Sequence, residues 1–143
     1  MPADSFKQRL PLYQRLLIIR LLGMCKMGQV LAKRLFPKPE QEALRQTFCE
    51  RVAKNDKRAY LAALKAIFGW SVSTHLPAIS QPTLVISADQ DYAPVALKEA
   101  YVAAMPKAEL VVIPDSRHAL PLEKPAEFNA AVAAFLDRLP NEL

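Results

Sequence analysis

The sequence predicts an α/β chain in two parts: a helical region over residues 1–75 and a βαβα unit with two parallel strands over residues 76–143. Three observations carry this. Apolar residues of the first part recur at helical spacing, as on the buried face of a helix. In the second part, two short β-branched runs, 83–87 and 109–113, are separated by a helix-length segment. The prolines, twelve against three glycines, fall at the apparent ends of elements, where they punctuate structure.

Taken in order, Leu10, Leu12, Leu16, Leu17, Ile19 and Leu22 outline a first helix, which Gly23 ends or kinks. A second is expected from Met24 to about Phe36, stopped by Pro37 and Pro39. A third starts near Pro39 with Glu40 and Glu42 in its first turn, where the helix dipole favours acids. Its apolar face is Leu44, Phe48 and Val52. Asn55 is the expected cap of a fourth helix with Tyr60, Leu61, Leu64, Ile67 and Phe68 on one face, closed by Gly69. Beyond residue 76, Pro82 precedes a buried strand at 83–87, and a helix runs from Val95 to Met105 before Pro106. A second strand, 109–113, ends at Pro114, and Pro125 opens a last helix with Phe128, Val132, Phe135 and Leu136 on one face. A helical crossover between strands implies that they are parallel. Two strands make an incomplete parallel sheet, so the unit is expected to belong to a larger sheet or to complete itself with another copy.

Composition narrows the class. Just over half of the residues are apolar, enough for a folded core. The net charge of +5 is uneven: residues 1–75 hold fourteen Lys/Arg against five Asp/Glu, and residues 76–143 hold five against nine. No run of like charge is long and no aromatic stacking pattern accompanies it, so the basic residues read as solvated helix faces rather than a nucleic-acid surface. Cys25 and Cys49 lie outside any C-x-x-C pair, which argues against a metal site, and both fall on helical apolar patterns where a buried thiol is expected. No secretory signal is visible at the N-terminus. The most apolar run, 16–19, meets Arg20, far short of the roughly 20 apolar residues of a membrane span. A cytoplasmic setting is expected.

In an open α/β sheet, functional groups gather beyond the C-terminal ends of the strands. Residues 88–94 follow the first strand and residues 114–119 the second. These loops should be neighbours, bringing Asp91 to His118 although 27 residues separate them. A carboxylate on one imidazole nitrogen fixes the tautomer and stabilises the imidazolium formed when the other nitrogen takes a proton. Asp89 is the fallback acid.

These residues carry a resemblance. The stretch from Leu76 through Pro82 to Ile86, Asp91 with Pro94 three residues on, Met105-Pro106 leading into the second strand, and His118 followed by Glu123-Lys124-Pro125 and Phe128-Asn129 resemble the C-terminal portion of the α/β-hydrolase fold. The match spans about residues 76–139. One position departs: the family usually has Gly before the histidine, and here stands Arg117. The resemblance implies that Asp91 and His118 are the acid and base of a Ser-His-Asp triad. It also implies that residues 1–75 are the helical lid, whose Met24, Met27, Phe36, Phe48, Phe68 and Trp70 are candidates to line an acyl site, though ordinary helix packing accounts for most of them.

The family's G-x-S-x-G nucleophile turn is absent. Ser71 in Gly69-Trp70-Ser71-Val72-Ser73 lacks the last glycine and a preceding strand, and Cys25 between Gly23 and Gly28 has the wrong spacing. In the family the nucleophile precedes the lid, so a chain that begins at the lid keeps only the last two members of the triad. The expected activity is therefore that of the C-terminal segment of a hydrolase for ester- or lactone-type carbonyl substrates, weak or inactive alone. No metal or cofactor is implied, and self-association or a partner chain is expected to complete the sheet. The alternative is a non-catalytic helical dimerisation module; nucleic-acid binding by the basic helices is a weaker third reading.

Overall fold

The computed structural model describes residues 6–67 and 70–140. The chain divides into two compact units, residues 1–72 and 73–143.

Among the described residues the first unit holds three α-helices: α1 (Phe6–Leu35), α2 (Glu42–Ala53) and α3 (Lys57–Ala66). Helix α1 is continuous except at Gly23, whose φ of 78° and ψ of −177° break the helical path. Only glycine adopts that conformation without strain, so the kink expected there has a backbone cause. On one side of the kink, Ile19 turns inward; on the other, Met24, Met27 and Leu31 do, and Val52 of α2 and Leu64 of α3 complete the core. Gly28 lets α2 approach closely, since a Cβ at that position would lie 3.3 Å from the Val52 Cβ and 3.4 Å from the Cys49 Cα. The turn between α1 and α2 is tied by Arg45, whose guanidinium donates to the carbonyls of Phe36 and Lys38 and to the Glu42 carboxylate. Phe36 meets Phe48 edge to face with ring centroids 6.1 Å apart.

Several expectations shift in detail. Residues Pro39–Gln41 form a 3-10 turn that runs directly into α2. The cap of α3 is Asp56, not Asn55: its backbone is extended and its carboxylate accepts the Ala59 N–H at 2.7 Å. Asn55 instead closes α2 by donating its backbone N–H to the Val52 carbonyl. Ile67 lies beyond the last turn of α3 and is exposed, while Phe68 and Gly69 fall outside the described residues. Cys49 is half-buried and Cys25 is exposed, because Cys25 sits one residue round the helix from the inward-facing Met24. Of the candidate acyl-site residues, Met24, Met27 and Phe36 are buried in this unit, and Trp70 is 65% exposed.

The second unit opens with a 3-10 segment (Ser73–Ala78) and continues through β1 (Thr83–Ala88), α4 (Val95–Ala103), β2 (Ala108–Ile113), the short α5 (Leu120–Glu123) and α6 (Pro125–Leu136). The strands pair in parallel, from Thr83 opposite Ala108 to Ala88 opposite Ile113. Helices α4 and α6 both pack on this ladder. β1 is fully buried only at Ser87 and Ala88; residues 83–86 are half-buried, less than a central strand would be. The reason lies in the sheet, which has two strands among the described residues and leaves each with an unpaired edge. No described helix is long and apolar enough to cross a membrane.

Replacing Gly23 by alanine tests the kink. An added Cβ would meet nothing within 4 Å, so the cost is conformational. It is expected to destabilise the helical unit by about 1–3 kcal/mol, read as a lower denaturant midpoint; an unchanged midpoint would show that α1 tolerates a regular path there.

Candidate active site

Because β1 and β2 run parallel, their C-terminal ends lie side by side, and the loops that follow them meet. Asp89, the first residue past β1, fastens the two loops together. Its carboxylate accepts the backbone N–H groups of Asp115 and Ser116, each at 3.1 Å. The Gln90 N–H donates to the Ser116 carbonyl, and the buried Ser116 hydroxyl donates to the Ile113 carbonyl at 2.6 Å. Asp115 takes the left-handed conformation, φ 50°, that the tight turn out of β2 needs; aspartate is among the few non-glycine residues that visit it readily. Arg117, where the family usually has glycine, needs no positive φ, since Asp115 is the one non-glycine described residue that has it. The Arg117 N–H is instead held by the Glu123 carboxylate at 2.7 Å.

This fastening leaves Asp91 facing His118. Asp91 Oδ1 lies 2.8 Å from His118 Nδ1 and accepts the Tyr92 N–H at 2.6 Å. Oδ2 accepts from the Lys98 ammonium at 2.8 Å. The Asp91 side chain is 14% exposed, and that of His118 is 59% exposed. The Tyr92 ring lies against the imidazole with centroids 4.7 Å apart. Burial pushes the Asp91 carboxyl up, but the hydrogen bonds from Lys98, His118 and the Tyr92 N–H outweigh it and hold the group below the ordinary carboxylate range. The Ser116 N–H is the chief cause that lowers Asp89. Burial, and after it the Asp91 charge, raises the Tyr101 hydroxyl.

The geometry therefore brings together Asp91 and His118, whereas Asp89 is engaged with backbone and serves as a loop fastener. Ser71 is half-buried in the segment that follows α3, and Cys25 is on α1; neither lies on the loops that hold Asp91 and His118. Sequence reasoning passed over Lys98 and Tyr92. A signal for Lys98 exists: side chains in a helix tilt toward its N-terminus. A lysine in the first turn of α4 therefore reaches back to the loop that precedes it.

The pH dependence follows from the two lowered carboxyls. Both bind protons less readily in the folded chain than in the unfolded one. Their stabilising contribution is therefore complete above the ordinary value of 3.8 and is lost as pH falls through the lowered folded values. Amide exchange protection at Gln90 and Ser116, corrected for intrinsic rate, is expected to fall over that acid range, and Asp89→Asn should reduce it already at neutral pH. Protection that persists in the Asp89→Asn chain would remove the fastening role.

The surroundings of this site have known counterparts. A family model described as the alpha/beta hydrolase family matches residues 2–131. Among solved structures, the enol-lactonase from Burkholderia xenovorans LB400 is 24% identical with a TM-score of 0.81 over 90% of this chain and 51% of its own. A thermophilic esterase from Thermogutta terrifontis is 24% identical with a TM-score of 0.77 over 95% of this chain and 52% of its own. An α/β hydrolase from a Medee basin deep-sea metagenome library is 26% identical with a TM-score of 0.59, over 83% and 49%. The chain spans about half the length of these structures, and its two-stranded sheet matches part of their fold. With the family model covering most of its residues, the chain belongs to the α/β hydrolase family.

Proposed function

We propose that this chain supplies the acid and base of a Ser-His-Asp triad in a hydrolase of ester- or lactone-type carbonyl substrates, with the serine contributed by residues outside it. The observation that carries the reading is the Asp91–His118 hydrogen bond at the C-terminal ends of two parallel strands. The enol-lactonase and the esterase among the structural neighbours support the substrate class.

In this reading Asp91 holds the proton of His118 on Nδ1, which leaves Nε2 as the base. As the serine oxygen attacks the carbonyl carbon, Nε2 takes the hydroxyl proton, and the Asp91 charge stabilises the imidazolium. His118 then returns that proton to the departing alkoxide, and the same base activates the water that cleaves the acyl-serine ester. Donors for the developing oxyanion come with the serine turn and a preceding loop in this family, so they too lie outside the chain. Residues 1–75 form the lid. The chain alone is a poor catalyst because nucleophile and oxyanion hole are both missing.

A second reading has its own observation. Leu10, Leu17 and Leu21 are exposed along α1 at helical spacing, with Leu22 beside them. A face of this kind also suits a helical association module without catalysis.

The purified chain is expected to hydrolyse a short-chain activated ester no faster than its His118→Ala variant and to take no label from a fluorophosphonate. Turnover that disappears in the variant would sink the proposal that the serine lies elsewhere. In a form completed by a nucleophile-bearing half, His118→Ala should lower kcat by roughly 10³-fold or more. A dimer in sedimentation that Leu21→Glu dissociates, combined with no His118 effect in the completed form, would favour the association module instead.

A further inference from the structure

Lys98 is a buried cation outside the triad. It is 7% exposed, and its ammonium makes two contacts, one with Asp91 Oδ2 at 2.8 Å and one with the Ala93 carbonyl. An ammonium taken out of water is strongly unfavourable unless it is paired and hydrogen-bonded. Its place in the helix adds to that cost. Lys98 stands in the first turn of α4, where the helix dipole disfavours a positive charge. Two local rules are thus broken at one residue, and the group that offsets both is the Asp91 carboxylate. Such breaks in local consistency concentrate at functional sites.

The carboxylate divides its two oxygens. Oδ1 serves His118 and the Tyr92 N–H, while Oδ2 serves Lys98. Both oxygens turn together about a single terminal torsion, which is broad when nothing holds it. Fixing Oδ2 therefore fixes where Oδ1 points. We propose that Lys98 is a positioning residue for the Asp91–His118 pair: its ammonium holds the carboxylate so that Oδ1 faces Nδ1, and it thereby sets the imidazole tautomer that leaves Nε2 free to accept a proton. The proposal rests on the reading of Asp91 and His118 as a functional pair. The chemistry it serves is tautomer selection, the step at which loss of the acid is most costly in such triads.

The test reads the tautomer directly. Ring nitrogen chemical shifts recorded at alkaline pH separate the Nδ1–H from the Nε2–H form. The chain contains two histidines, and the Nδ1 of His75 lies 3.3 Å from the Thr74 hydroxyl, so free histidine serves as the reference. In the native chain His118 is expected to be mainly Nδ1–H. In Lys98→Met, which keeps the apolar stem and removes the charge, the Nδ1–H share should fall toward that of free histidine. A purely structural ion pair would leave it unchanged. Should the amide spectrum show that Lys98→Met does not fold, Lys98→Ala, which admits water and has high helix propensity, is read in the same way. A native Nδ1–H signal that persists in the folded variant overturns the role of Lys98 and leaves the Asp91–His118 pair standing. A native His118 that is not Nδ1–H overturns both.

Discussion

The parallel pairing of β1 with β2 is the constraint on which the site depends. Six residue pairs in register, ending with Ala88 opposite Ile113, fix both the direction and the level at which the chain leaves the sheet. An antiparallel pair would send the two following loops to opposite ends, and Asp91 and His118 would never meet. A slip of one residue would reverse the sides to which the strand residues point. Ser87, Ala88 and Ile113, the buried residues at that end, anchor the register where it matters most.

From that anchor the electrostatics run outward in layers. Asp89 joins the loops through backbone donors and is consumed in doing so. Asp91, two residues on, accepts one backbone N–H among the described residues and faces two side chains, so its charge is available to them. Two neighbouring aspartates thus differ in task because one faces N–H groups and the other faces an imidazole and an ammonium.

Much of this is legible in the residues. The prolines at 82, 106, 114 and 125 mark element ends that the structure reproduces to within a few residues, since a ring that fixes φ and lacks an N–H acts locally. Gly23 marks the break in α1 for the same kind of local reason. The meeting of the two loops is legible because a helical crossover implies parallel strands. What escapes is decided by tertiary position. Asn55 and Asp56 are equally good caps in sequence, and a one-residue difference in where α2 ends selects Asp56. Cys25 is one residue off the inward face of α1, a rotation that periodicity does not resolve. The partner of Lys98 depends on how the loop before α4 turns the Asp91 carboxylate, and α5 is too short for any periodicity to register. Burial along β1 is overestimated because a run of β-branched residues reports the sheet it is suited to, not the number of strands around it.

The unpaired edges of β1 and β2 bear on how the chain behaves in concentrated solution. Each presents a row of backbone donors and acceptors at strand spacing, able to recruit any extended segment, copies of itself included. Closure of β1 on β2 through α4 is a local, first-order event, whereas growth at an edge is second order in chain. Dilution therefore favours the folded unit, and crowding favours assemblies that grow from it.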